Sequence, residues 1–430
     1  MRFVVVAAGL VGCTNAVTLE IASDRPVPRA LDSICVGVAA DVDQFGRDYR
    51  LDTRMLPQTL RVEGAAAIAW VRGDQGGVAT QLVSAPVDGD TTLDLRACVK
   101  GPGAAPAAVG APVGPLGARL AASEGLGGTV VVAVGSKISV IDARGGGLVA
   151  TDLAVAPPPG MPIAVIAADL DGDCDDDLIV ATDGAAPMVL LRNGKTFVAG
   201  DTIGKVAAQV AAADVDHDGD TDLVLGYGST LQLWLNDGGA HFTQSVPGLD
   251  GGGHVSAVSA LAMGDLDGDG NADLVVGQTG APLAAWLGGT AMFDYSDGAV
   301  PPVTLDVERL TLADANGDFA PDLAIAVTGA PMRLLVNRGD GRLEDRTYIT
   351  VPNPPAIHAA AFGGWDDGCE PDAVLASDAG APTLRGQPGG AFTAEAAAPA
   401  STDVLMFDID DDGDLDALYA TAQGVQWLAR

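Results

Sequence analysis

At 430 residues the chain is long enough for two or three domains, or for one repeat array, and it is not a small disulfide-only scaffold. Lys and Arg total 23 against 57 Asp and Glu, a formal charge of −34, so phosphate backbones and anionic membrane surfaces are repelled and nucleic acid is not an expected partner. Hydrophobic residues make up 48%, too many for wholesale disorder, and the four histidines, none spaced as HExxH, leave little for imidazole chemistry.

Met1-Arg2 is followed by an apolar stretch from Phe3 to Gly9 and then by Leu10-Val11-Gly12-Cys13. A positive charge, a short hydrophobic segment and small residues follow one another as in an export signal. The junction resembles the bacterial lipoprotein lipobox. That resemblance implies a signal peptide over 1–12 and a lipidated Cys13 as first mature residue, anchored by acyl chains at ~0.8 kcal/mol per buried CH₂. The alternative is a secretory peptide cut after Ala16, with Thr14 and Ala16 as its small residues. Thr14 after the cysteine favours, by analogy, the outer membrane or cell surface, and either branch places the protein outside the cytoplasm. Beyond the first dozen residues no run approaches the ~20 apolar positions of a membrane span.

Residues 17–99 carry five or six short β-runs separated by Pro, Gly and Asp, which predicts a small antiparallel β-sandwich-like domain. Cys35 and Cys98 are the pair of cysteines left in this region once Cys13 is lipidated. In an oxidising compartment a disulfide between them is expected, the alternative being two small core residues. Residues 100–116 are nearly all Gly, Ala, Pro and Val without helical period and read as a linker stiffened by proline.

The remainder repeats. Four copies share one nine-residue pattern: Asp169, Asp171, Asp173, Asp177; Asp214, Asp216, Asp218, Asp222; Asp265, Asp267, Asp269, Asp273; and Asp408, Asp410, Asp412, Asp416. A fifth copy has Asp314, Asn316, Asp318 and Asp322 with Phe319 in place of glycine, and weaker copies begin at Gly364 and Ser123. The starts at 123, 169, 214, 265, 314, 364 and 408 give a spacing typical of a propeller blade.

Each unit has an alternating run before the acidic loop, a buried-looking strand directly after it, and a turn that is often Gly-Ala-Pro. A third strand and an Asn-Gly or Gly-Gly turn come next, then a fourth strand near a phenylalanine. These units resemble FG-GAP/VCBS repeats, the units of the integrin α-chain propeller and of many bacterial surface proteins. The resemblance implies an all-β fold, a seven-bladed β-propeller over 117–430, with Ca²⁺ in the loop between the first two strands of a blade. The last unit stops after its third strand, so its fourth comes from the segment before residue 117 or is absent.

Aspartates at positions 1, 3, 5 and 9 around a tight turn supply several hard oxygen ligands, a donor set that suits calcium better than magnesium. The alternative is a solvated polar turn. Catalytic carboxylate pairs are unique, whereas these recur from blade to blade, so no catalytic residue is expected and the chain is not read as an enzyme. Cys174 and Cys369 share the sixth loop position, which invites a disulfide across the ring, but two non-adjacent blades are poorly placed for it and free or weakly buried thiols are expected. The four histidines are expected at the surface or in packing. The expected function is a calcium-stabilised, lipid-anchored extracytoplasmic binding or adhesion module for an extracellular protein or glycan. A lectin-like propeller, or a polysaccharide-active enzyme, is the alternative.

Overall fold

The computed structural model describes residues 107–123, 130–143, 147–245, 249, 253–289, 293–365, 370–410 and 415–429, together with nine strands between 8 and 95. In the N-terminal region Ser33–Ala39 pairs antiparallel with Arg47–Asp52 on one side and Ile68–Gln75 on the other, and Val78–Pro86 completes a four-stranded sheet. Ala16–Glu20 lies between Ala8–Gly9 and Thr59–Glu63, and Ala22–Ser23 pairs with Asp94–Leu95 in parallel. Leu19, Ile34 and Val36 are buried in these strands. Cys13, Cys98 and the side chain of Cys35 lie outside the described residues, and with them the expected lipidation and disulfide.

From residue 107 onward the chain forms seven four-stranded antiparallel sheets. Their innermost strands are Arg119–Ser123, Pro162–Ala168, Gln209–Ala213, Val258–Gly264, Val307–Ala313, Ala359–Gly363 and Asp403–Phe407, here the first strands of blades 1 to 7. These seven strands neighbour one another in an unbroken cycle, blade 7 returning to blade 1. The expected seven-bladed all-β propeller is therefore the fold.

The second strand of each blade explains the sequence pattern. Asp177–Thr182, Asp273–Gln278, Asp322–Val327, Asp372–Ala376 and Asp416–Thr421 are buried throughout, because a neighbouring blade covers each face of the sheet. A strand buried on both faces needs a continuous apolar run, and such a run comes directly after each acidic loop. In blades 2 to 7 its fifth residue is small: Ala181, Gly226, Gly277, Ala326, Ala376 and Ala420. At Gly277 an added Cβ would stand 2.6 Å from Val307 Cγ1 of the next blade, and at Gly226 2.7 Å from Val258 Cγ1. Small residues here let the next first strand approach closely.

Apolar clusters fill every gap between blades, from Val132, Leu178 and Leu190 between blades 1 and 2 to Ile141, Leu418 and Trp427 between blades 7 and 1. At about 1.5–3 kcal/mol for each buried Val, Leu or Ile, these interfaces hold the ring.

Blade 7 is completed by Ala107–Val113, which pairs antiparallel with Gly424–Ala429 as the outermost strand. The stretch read from composition as linker thus contains the strand that closes the ring. One short helix, Thr347–Thr350, connects blades 5 and 6.

Candidate metal centres in the blade loops

Each acidic loop joins a first strand to the buried second strand, so its aspartates are carried by two rigid elements. The loop fold repeats in blades 2 to 5. The first aspartate accepts two backbone N–H groups: Asp214 Oδ1 from His217 at 2.9 Å and Oδ2 from Gly219 at 3.1 Å, Asp314 from Gly317 at 2.7 Å and from Phe319 at 2.8 Å. Positions 3 and 5 close smaller Asx turns, with Asp218 N donating to Asp216 Oδ1 at 3.3 Å and Asp220 N to Asp218 Oδ1 at 3.0 Å. These bonds engage one oxygen of Asp216 and of Asp218 and leave Oδ2 of each without a hydrogen bond among the described residues.

The aspartate at position 9 opens the second strand and is a strut. Asp177 Oδ2 accepts from Leu170 N at 3.1 Å and Oδ1 from Arg192 N at 2.7 Å, and Asp222 likewise from Val215 N at 3.0 Å and Asn236 N at 2.8 Å. Asp273 and Asp322 repeat the arrangement with Leu266 and Gly288, and with Ala315 and Asn337. In blade 6 Asp372 keeps the strut to Gly386 N at 2.7 Å, while residues 366–369 of that weak loop are not among those described.

One carboxylate oxygen each from Asp169, Asp171 and Asp177 lie within 4.8 Å of one another, and so do those of Asp214, Asp216 and Asp218, of Asp265, Asp267 and Asp269, and of Asp408, Asp410 and Asp416. Asp412 lies outside the described residues. In the fifth loop Asn316 takes position 3, its amide oxygen accepting from Asp318 N at 2.9 Å, so Asp314 and Asp318 flank a neutral oxygen donor.

Burial pushes the Asp177 carboxyl up to about 8 and those of Asp173, Asp222, Asp273 and Asp322 up to about 7. Neighbouring loop aspartates add to the rise, and backbone hydrogen bonds oppose it. Asp214, Asp265, Asp267 and Asp314 are raised as well, again chiefly by burial. Grouped, half-buried carboxylates that resist ionisation are what a bound cation would relieve, and an all-oxygen set on a flexible loop fits a hard divalent ion.

Two features lie beyond the sequence reading. Asn236 reaches back to blade 2, donating from Nδ2 to Leu170 O at 2.7 Å, and Asn337 does the same to Leu266 O of blade 4 at 2.8 Å. Arg192 takes the corresponding place and donates to Ser123 O of blade 1 at 2.7 Å. The loops of blades 2 and 4, and the end of the first strand of blade 1, are thus braced by the blade that follows, a pattern signalled by a polar residue 14 or 15 positions after the ninth-position aspartate of that next blade; glycines, Gly288 and Gly386, hold the place in blades 4 and 6. Cys174, expected as a free thiol, is disulfide-bonded and 1% exposed, while every other cysteine side chain lies outside the described residues.

The backbone is left-handed at both positions 4 and 6. Position 4 has φ of 77°, 78° and 79° at Gly172, Gly268 and Gly317, but is His217 at 64° in the second loop. His217 is exposed, so nothing in packing offsets the side-chain penalty. His217→Gly is expected to raise stability by about 1 kcal/mol, seen as a higher urea midpoint at unchanged m-value. An unchanged or lower midpoint would show that the imidazole contributes more than its backbone costs.

Comparison with protein-family models matches an FG-GAP-like repeat at residues 169–225 and again at 214–276, and an FG-GAP repeat at 257–300. No curated protein matches the chain in sequence. Among solved structures, a BBS1N domain in complex with ARL6DN is 11% identical, covers 77% of this chain and 96% of its own, and superposes with a TM-score of 0.50. A lectin from Agrocybe aegerita that recognises non-reducing terminal N-acetylglucosamine is 15% identical over 73% of this chain and 86% of its own, at 0.48. The computationally designed Ika8 protein is 16% identical over 75% of this chain and 100% of its own, at 0.44. At such identities the likeness is one of fold alone. The chain therefore carries FG-GAP repeats, matched directly over residues 169–300 and set within a seven-bladed β-propeller.

Proposed function

We propose that this chain is a calcium-stabilised binding module, lipid-anchored outside the cytoplasm, and not an enzyme. One observation carries the reading: the same hydrogen-bonded acidic loop recurs at the same place in successive blades. Recurrence suits a structural ion, because a reaction centre needs one distinctive constellation and gains nothing from copies. Calcium at these loops would neutralise the grouped aspartates and leave the opposite face, with its Gly-Ala-Pro turns and the connections between blades, for an extracellular protein or glycan. Among the described residues no helix is long and apolar enough to cross a membrane, so the proposed attachment rests on the Leu10-Val11-Gly12-Cys13 junction.

Capture of surface partners from the native source with residues 17–430, beside a glycan array and an assay on generic polysaccharides, tests the reading. A partner that requires calcium supports it, and turnover of a polysaccharide overturns it. Replacement of Cys13 by Ser is expected to release the protein from the membrane fraction, and unchanged fractionation refutes the anchor.

A further inference from the structure

The first strands begin on the face opposite the acidic loops, so their opening residues ring the entrance to the central channel. Charged side chains gather at this entrance. Arg309, at the start of blade 5, forms an ion pair with Asp403 at the start of blade 7, its Nη1 donating to Asp403 Oδ1 across the intervening blade. Asp403 is nearly fully buried and its oxygens are also bonded by Val404 N at 3.0 Å and by Leu120 N of blade 1 at 3.0 Å. Asp403 is thereby fixed as a scaffold for the arginine.

Arg119, at the start of blade 1, has no carboxylate in direct contact among the described residues. Its Nε donates to Pro162 O of blade 2 at 3.4 Å and its Nη1 to Thr402 O of blade 7 at 3.1 Å. Nη2 of Arg119, and Nε and Nη2 of Arg309, have no hydrogen-bond partner among the described residues. Burial and the nearby Arg309 charge lower the Arg119 guanidinium from its ordinary value, with Asp403 and Glu308 opposing them. Two guanidiniums thus stand close together with one directly bonded carboxylate between them and donors left over.

The adjoining acid is already engaged. Glu308 Oε1 meets His358 Nδ1 at 2.8 Å, and His358 Nε2 meets the exposed Asp378 Oδ1 at 3.1 Å. Both ring nitrogens therefore face carboxylates, an arrangement that favours the imidazolium and offsets the Glu308 charge beside the arginines.

We propose that this channel entrance is a binding site for a small organic carboxylate, the end residue of a uronic acid sugar, held by Arg119 and Arg309. A planar guanidinium presents paired donors that match a carboxylate. Glu308 Oε2, without a hydrogen bond among the described residues, offers an acceptor for a sugar hydroxyl. A small monoanion feels the local charges within a Debye length of about 8 Å, whereas a large acidic partner would meet repulsion from the whole surface of a chain at −34. The inference rests on the binding-module reading and names a ligand class for it.

The test is ligand-observed NMR titration of the full chain in millimolar calcium with galacturonate, galactose and acetate. Galacturonate is expected to bind, galactose not to bind, and acetate to bind at least about tenfold more weakly. Arg119→Gln should weaken galacturonate by about tenfold or more at unchanged melting temperature, and exposed Arg342→Gln should change nothing. If Arg119→Gln does not fold, Arg309→Lys, which keeps the charge and loses the fork, should weaken binding in its place. No galacturonate binding, equal binding of galactose or acetate, or full binding by a folded variant overturns the proposal. A surface partner captured equally well by Arg119→Gln overturns it too and leaves the binding-module reading standing, whereas failure of the wild type to capture any partner overturns that reading.

Discussion

Chelation of calcium is expected to lower the melting temperature by about 10 °C at pH 8, and the loss should shrink as the pH falls. Five loops, those beginning at Asp169, Asp214, Asp265, Asp314 and Asp408, each gain about 1.4 kcal/mol from ~1 mM calcium if the affinity is near the ~10⁻⁴ M of extracellular modules. The sum of about 7 kcal/mol, divided by an unfolding entropy of about 2.1 cal/mol/K per residue over a propeller of this size, gives that shift. The pH dependence comes from the carboxylates. Without a cation, Asp177 is raised to about 8 and Asp222, Asp273 and Asp322 to about 7, so the folded state holds protons that the unfolded state releases near pH 4. Metal-free stability therefore falls as pH rises from about 4 toward 7 or 8, and is lowest above that window. Calcium needs the deprotonated form, so its contribution is largest where the metal-free protein is weakest and fades toward pH 5. Scanning calorimetry with calcium and with excess chelator at pH 5, 6.5 and 8 reads both trends. Coincident melting curves at pH 8, or metal analysis with less than about one calcium per chain, would refute a structural ion.

The propeller was legible because two independent patterns coincide in each unit. Aspartates at positions 1, 3, 5 and 9 are set by local loop geometry, and the apolar run directly after them is set by burial on both faces, so both signals lie within about fifteen residues of sequence. Contacts between blades were not legible in the same way. Arg309 and Asp403 are 94 positions apart, Asn236 and Leu170 are 66 apart, and His358 finds one of its carboxylates 50 positions earlier. Which blade stands beside which is fixed by closure of the ring, and no local period records it. The left-handed position 4 is hard to read from sequence because His217, Asp367 and Asp411 interrupt a column that is glycine at 172, 268 and 317. The closing strand escaped for a further reason. Ala107–Val113 is an outer strand with Pro112 in it and a register shift between Val109 and Val113, so it lacks the alternation that marks a half-buried strand.

That strand closes the ring through its pairing with Gly424–Ala429. Two shortened chains, one beginning at residue 104 and one at 117, both lack the N-terminal sheets, but only the second lacks the partner of Gly424–Ala429. At about 0.5–1.5 kcal/mol for each backbone hydrogen bond, removing a seven-residue strand costs on the order of 3 kcal/mol. The loss does not stop there, because the exposed edge of Gly424–Ala429 offers unpaired backbone groups to a second molecule. The chain from 117 is therefore expected to melt lower and to aggregate on warming, while the chain from 104 stays monomeric. Gly424 gives a second arm in the full chain. Its φ is 119°, and an added Cβ would stand 2.6 Å from Val113 O, so Gly424→Ala must push the closing strand away or strain its own backbone. A drop of about 2 kcal/mol is expected, read from the denaturant midpoint. Equal melting of the two shortened chains, with Gly424→Ala as stable as the wild type, would mean that the apolar interface between blades 7 and 1 closes the ring without this strand.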